Sequence, residues 1–363
     1  MIRHLYVHIP FCPKVCPYCS FYKEASDRNK TQHFLDSVLA ELDAAQKIYE
    51  LQPETIFFGG GTPTALSTLQ LTYLLKGLRE RLDLSQLREW TLEMNPATVS
   101  PEKASRLREL GVNRVSMGVQ AWDEPTLKAL GRVHSSAQAL RSYEILREEG
   151  FTNINLDFIF GTPGQSNAIW FENLKRTIDL GPNHISAYCL TYEEDTEFFR
   201  RFQTGELLQD ENADADLYEG TIEMLEGAGF IQYETSNYAK NKSECEHNLA
   251  YWLGRDYLGL GPSAFSTVGE NRWKNLPDTS VYCQLIDRCG EAKSFYENVT
   301  PAIRQSEKVA FGLRTNRGVA LTDLPVSQVN QLTKDGFLTQ MENRIFLTRQ
   351  GRLVADGVAE LLI

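Results

Sequence analysis

The 363-residue chain has no excess of basic residues: 37 Lys and Arg stand against 48 Asp and Glu, a net charge of −11. General nucleic-acid or anionic-membrane surfaces need clustered cations, so neither is expected; the balance leaves room for one basic pocket. No run of about 18 apolar residues is present, so no membrane span is expected. No charged segment followed by a short apolar one opens the chain, so no secretory signal is expected. The 7 cysteines are Cys12, Cys16, Cys19, Cys189, Cys245, Cys283 and Cys289. Their odd number argues against a disulfide scaffold, and no second short Cys pair exists to complete a four-ligand zinc site. A cytoplasmic, folded protein is the expectation, with length for two or three domains.

What is present begins with Cys12-Pro13-Lys14-Val15-Cys16-Pro17-Tyr18-Cys19, spaced Cys-x3-Cys-x2-Cys. Iron–sulfur clusters are normally held by four thiolates, so three on one short loop leave one iron open to an outside ligand. The aromatic neighbours Tyr18 and Phe21 are expected to wall such a cluster from solvent or simply to pack.

Six apolar, β-branched or aromatic runs recur at residues 4–10, 55–58, 90–95, 114–119, 153–160 and 184–191. Helical patterns fall at 30–50, 68–82, 101–110, 123–130 with 136–149, 166–179 and 211–228. Strands alternating with helices predict βα units, a parallel sheet and an α/β fold. Six units predict a partial (β/α)6 barrel. Ser100 before Pro101 reads as an N-cap with Pro at the first helical position, and Gly111 and Gly150 read as helix stops. Polar residues collect at strand ends: 59–63, 93–96, Gln120, Asp157 and 161–164. In β/α barrels that end carries the site. Buried carboxylates need partners, so Glu93 and Asp157, inside apolar runs, are candidates for ligand contact or for a structural Arg. Three segments are expected: a barrel at 1–240, a connecting segment at 241–300 and a C-terminal unit at 301–363. The last has helical patterns at 306–312 and 325–336, short strands at 337–339 and 344–348, and a final helix from about 349. It reads as a small winged-helix-like α+β domain lying over the barrel mouth.

The cysteine spacing resembles that of the radical S-adenosylmethionine (SAM) superfamily. Tyr6-Val7-His8-Ile9-Pro10-Phe11-Cys12, residues 58–63, Glu93-Met94-Asn95-Pro96, residues 114–120 and Leu130-Gly131-Arg132-Val133-His134 sharpen this. Together they are similar to the oxygen-independent coproporphyrinogen III oxidase family, and closer to its branch of HemW-type heme chaperones. Two departures from the oxidase point to that branch: Phe21 stands where the oxidase has a further Cys, and Cys12 lies too early for the oxidase's long N-terminal extension. Glu246-His247-Asn248-Leu249-Ala250-Tyr251-Trp252 contains the His-Asn-x-x-Tyr-Trp pattern of the chaperone branch.

The resemblance implies a TIM-like partial barrel whose Cys12, Cys16 and Cys19 ligate a [4Fe-4S] cluster that reductively cleaves SAM. It implies that Tyr6 lies close to SAM, that Gly60, Gly61 and Thr62 meet its methionine part, and that Glu93 accepts from its amino group. Arg132 would pair with its carboxylate, and Gln120 and Asp157 would hold the ribose hydroxyls. His247 would ligate heme iron, with Cys245 as an alternative. The implied function is heme binding and delivery to an acceptor protein; the alternative is oxidative decarboxylation of coproporphyrinogen III. Implied partners are the heme acceptor, with room for transient contact with a membrane-bound one, and an electron donor of unstated identity.

Overall fold

The computed structural model describes residues 1–25, 28–240 and 242–363. The first strands are β1 (Ile2–Ile9), β2 (Phe11–Cys12), β3 (Glu24–Ala25), β4 (Leu51–Gly60), β5 (Glu89–Met94), β6 (Arg114–Gln120), β7 (Asn153–Phe160) and β8 (His184–Cys189). Then come β9 (Ile231–Glu234), β10 (Asn237–Ala239) and β11 (Leu258–Leu260). The main sheet runs β11-β1-β4-β5-β6-β7-β8-β10-β9. β1, β4, β5, β6, β7 and β8 pair in parallel, β11 adds parallel to β1, and β10 turns back antiparallel on β8. This is the expected α/β partial barrel with six parallel units. β4 starts earlier than its apolar run because Leu51 pairs with Ile2; Pro53, which has no N–H to donate, sits beside a break in register.

Helices α1 (Arg28–Ala45), α2 (Thr68–Arg81), α3 (Pro101–Glu109), α4 (Glu124–Ala129), α5 (Ser136–Glu148) and α6 (Asn167–Leu180) connect the strands. α7 (Glu197–Gln203), α8 (Glu211–Gly227) and α9 (Glu246–Trp252) follow β8. The Ser100 hydroxyl accepts from Lys103 N–H with Pro101 at the helix start, and Gly111 and Gly150 adopt φ of +103° and +82°. Those are backbone conformations that a Cβ disfavours.

The strands are two-faced, because alternate side chains point to opposite sides of a sheet. Val7, Ile9, Ile56, Phe58, Trp90, Leu92, Val115, Met117, Ile154 and Leu156 join helix residues such as Phe34, Leu74 and Leu107 in one buried apolar cluster. The alternate positions are polar and turn into the barrel. His4 meets Thr55, and Ser116, Asn155, Asp157 and Ser186 hydrogen-bond to one another across β6, β7 and β8. The sheet thus has an oily outside under helices and a hydrogen-bonded inside.

Residues 301–363 build their own core from Val309, Leu313, Val319, Val329, Leu332, Leu338, Ile345, Leu347 and Val358. The unit has a helix at Pro301–Leu313, a three-stranded sheet and terminal helices, Arg349–Leu353 and Ala355–Leu362. Its position differs from the expectation of a cover over the mouth. Asn316 N–H bonds to Tyr233 O (2.9 Å), Thr315 bridges Glu234, and Arg349 reaches Glu223 and Glu226 of α8. Phe311 packs edge-on against Trp252 of α9 at 5.9 Å. The unit therefore covers the β9 edge and the N-terminal end of the barrel. The physical reason is that an open strand edge carries unpaired N–H and C=O groups that need cover. No helix among the described residues is long and apolar enough to cross a membrane.

Candidate functional site

The cysteine loop is clamped at both ends. β2 and β3 pair in parallel, joining Phe11 and Cys12 to Glu24 and Ala25. Gly61 N–H donates to Ile9 O and Thr62 N–H to Phe11 O, both at 2.8 Å, which ties the loop to the end of β4. Glycine is required here. Gly60 has φ +101°, and a Cβ on it would lie 2.4 Å from the His8 ring; a Cβ on Gly61 would lie 2.8 Å from Ile9 O. We expect Gly60→Val to lower stability by about 2 kcal/mol or more, read as a lower unfolding midpoint, because strain and overpacking add.

Cys12 Sγ lies 3.6 Å from Thr62 Oγ1, and Cys16 Sγ lies 3.6 Å from Arg132 Nη1. Lys23 Nζ donates to Cys19 O. Burial first, and then the charges of the other cysteines, raise the Cys12 thiol above its ordinary pKa. Burial likewise raises Cys19, opposed by Lys23. Among the described residues no three His, Cys, Asp or Glu side chains close tightly around one point. The donor chemistry nonetheless suits a sulfur-bridged iron cluster: three thiols within one another's electrostatic reach, on a clamped loop, with a cation on each flank.

Beside the loop, at the C-terminal ends of the strands, lies a cavity of about 430 Å³. Gly60, Gly61, Thr62, Glu93, Gln120, Arg132 and Asp157 all line it, as does Cys19. Burial, followed by the nearby charge of Asp157, pushes the Glu93 carboxyl up to about 8, although Gly60 N–H donates to it. Asp157 accepts from Ser116 Oγ at 3.0 Å and Asn155 Nδ2 at 2.7 Å. Arg132 Nη2 donates to Gly118 O at 2.8 Å. Gln120 adopts φ +68°, and a Cβ on Gly118 would come within 2.8 Å of its amide nitrogen. Two carboxylates and one guanidinium thus face a single volume, and no ion pair to Glu93 occurs among the described residues. A ligand with its own ammonium, carboxylate and hydroxyls would satisfy all three.

Tyr6 is placed differently. It lies deeper in β1 and outside the cavity lining, with its hydroxyl 3.0 Å from His8 Nδ1. Burial lowers His8 to about 4, and its Nε2 contacts Tyr22 O at 2.9 Å. His247 is not brought to the mouth. It is fully buried at the opposite end of the barrel, with Nδ1 2.7 Å from Thr55 Oγ1 and Nε2 2.8 Å from the Tyr251 hydroxyl. Its ring stacks on Phe57 at 5.3 Å. The Glu89 carboxylate accepts from the backbone N–H groups of Glu246 and His247 and from the Cys245 thiol, which seats the N-terminus of α9 on β5. Of the flanking aromatics, Tyr18 lines the cavity and packs on Phe198, whereas Phe21 stands 65% exposed at its rim.

Comparison with known proteins places this geometry. The family model described as the radical SAM superfamily matches residues 6–177. The heme chaperone HemW of Bacillus subtilis is 35% identical, with 98% of each chain covered. HemW of Escherichia coli is 33% identical over 99% of this chain and 97% of its own. The chain belongs to the HemW family of radical SAM proteins. The fold of the family is shared with a solved structure, coproporphyrinogen III oxidase (HemN) of Escherichia coli, described as a radical SAM enzyme. The two superpose with a TM-score of 0.87 at 25% identity, covering 99% of this chain and 89% of that one.

In this HemW-family chain the sequence reading missed several cavity residues. Ser116 and Tyr188 face the cavity from β6 and β8, and Cys189 and Glu193 follow on its outer wall. Alternation was the available signal. Arg114, Ser116, Gly118 and Gln120 occupy every second position of β6, and His184, Ser186 and Tyr188 do so in β8.

Proposed function

We propose that this chain is a heme chaperone that carries a [4Fe-4S] cluster and SAM, binds heme and hands it to an acceptor protein. The observation that carries the cofactor part is the 430 Å³ cavity beside the three-thiol loop, with Glu93, Asp157 and Arg132 facing inward. Cys12, Cys16 and Cys19 would hold the cluster. Gly60 and Gly61 would offer backbone groups, and Thr62 its hydroxyl, to the methionine part of SAM. The carboxylate of Glu93 would accept from an ammonium, and the Arg132 guanidinium would donate to a carboxylate. Gln120 and Asp157 would hold ribose hydroxyls, and Tyr6 would act from the layer beneath. A cluster with one iron free of protein sulfur supplies a one-electron reductant next to a sulfonium.

The heme part is supported by the full-length relatives, which are named heme chaperones. For His247 to ligate iron, α9 must lift from β4 and break the Nδ1 contact with Thr55, while the Nε2 contact with Tyr251 lies within α9 itself. Titration with hemin tests the proposal: we expect saturable binding to the wild type, and weaker binding to His247→Ala if α9 opens. No saturable binding to the wild type would remove the chaperone function; equal binding by the variant would remove only His247. Anaerobic turnover of coproporphyrinogen III with SAM and reductant would favour the decarboxylase instead.

A further inference from the structure

The candidate SAM cavity and α9 lie at opposite ends of the barrel, and one chain of interior side chains joins them. Asn155 Nδ2 lies 2.7 Å from Asp157 Oδ1, and Asn155 Oδ1 lies 2.6 Å from His184 Nδ1. His184 Nε2 lies 2.8 Å from the Tyr233 hydroxyl, and that oxygen lies 3.3 Å from the N–H of Cys245, the residue before α9. Asn155 is 2% exposed, and His184, Tyr233 and Cys245 are 0% exposed. These side chains are closed off from bulk solvent.

Each link dictates the next. A carboxylate only accepts, so the Asn155 amide turns its NH2 toward Asp157 and its carbonyl toward His184. That carbonyl also accepts from Ser186 Oγ at 3.2 Å, but a bare nitrogen 2.6 Å from it would repel it, so His184 carries its proton on Nδ1. Burial, followed by the positive charge of Arg114, holds the His184 pKa well below its ordinary value, so the ring is neutral and Nε2 is bare. Nε2 therefore accepts from the Tyr233 O–H. With its proton committed, the Tyr233 oxygen is left to accept from Cys245 N–H. The reverse polarity would turn the Asn155 carbonyl toward the Asp157 carboxylate, two acceptors face to face, and is not available. Such fully satisfied buried networks hold one arrangement, and losing a member leaves its neighbours unpaired.

We propose that Asn155 and His184 are positioning residues for Asp157, and that through Tyr233 they couple occupancy of the candidate SAM cavity to the seating of α9. This rests on the reading above that Asp157 receives the ribose hydroxyls of SAM. The two-state element is α9, seated or lifted. Coupling is reciprocal: SAM favours the seated helix, and lifting the helix, which exposure of His247 requires, weakens SAM.

The test uses the reconstituted full chain, with SAM affinity by calorimetry and hydrogen exchange of the α9 amides with and without SAM. His184→Asn keeps a donor where Nδ1 stands, whereas His184→Gln moves the amide toward the Nε2 position. We expect His184→Asn to bind SAM within about twofold of wild type and His184→Gln to bind roughly tenfold more weakly, the loss of one hydrogen bond to a charged group's partner. Equal affinity in the two variants would mean that the side chain only fills space, and would overturn the positioning role. Tyr233→Phe keeps the ring and its packing. Its SAM affinity should stay near wild type, while the slowing of α9 exchange by SAM, present in wild type, disappears. Slowing that persists in Tyr233→Phe, or is absent from wild type, would overturn the coupling. Failure of the wild type to bind SAM at all would instead remove the reading on which the relay rests.

Discussion

Replacing Cys12, Cys16 and Cys19 together by Ala is expected to abolish iron uptake on anaerobic reconstitution, from roughly four irons per wild-type chain to near none. The loop should survive the change. Its ends are held by the β2–β3 pairing and by the backbone bonds from Gly61 and Thr62, none of which involves sulfur. Circular dichroism and the unfolding midpoint should therefore stay close to wild type while iron and sulfide disappear. Each single substitution leaves two thiols and is expected to lose most of the iron. Unchanged iron content in the triple variant would sink the cluster assignment, and Cys189, on the outer cavity wall, would be the next thiol to test.

Glu93→Gln is expected to weaken SAM binding by roughly 10- to 100-fold, the loss of a charge-assisted bond, and to stabilise the ligand-free protein at alkaline pH. The sign follows from the fold. Glu93 titrates near 8 in the folded chain against an ordinary 4.5, because it is buried beside Asp157. Folding thus costs nothing extra below about pH 4.5, progressively more as pH rises, and a full few kcal/mol above about 8. Glu41 and Glu234, both raised by burial to about 7, add slopes of the same sign in the same window. The histidines act from the other side. His8 and His134 are lowered to about 4, so their contribution is present above the ordinary 6.5 and is lost as pH falls toward 4. The unfolding midpoint of Glu93→Gln should match wild type near pH 5 and exceed it at pH 9. Equal midpoints at pH 9 would show that Glu93 is not a strained carboxylate.

These expectations draw on residues that were legible in the sequence to different degrees. Strands and helices were readable because local chemistry marks them: Ser100 caps α3, Pro101 starts it, and Gly111 ends it at positive φ. The polar strand ends were readable because charge inside an apolar run is costly. Three things were not. The interior of the barrel was hidden because apolar and polar positions alternate closely enough to look like one run; Asn155 shows its role only once Ser116 and Ser186 stand beside it. β11 is three residues long, and Gly259 is there because a Cβ would meet Phe265 O at 2.1 Å, a contact no local pattern announces. The place of His247 depends on Thr55, 192 positions away, and on Glu89, which docks the helix. A motif names a helix without saying which end of the barrel receives it.

The C-terminal unit sits against the β9 edge and the N-terminal end of the barrel, so its described residues do not lie across the mouth. Phe21 and Tyr188, 65% and 40% exposed, form part of the rim. A cationic ligand that enters at that rim displaces no part of the C-terminal unit, and a chain of net charge −11 meets it faster at low ionic strength than at high.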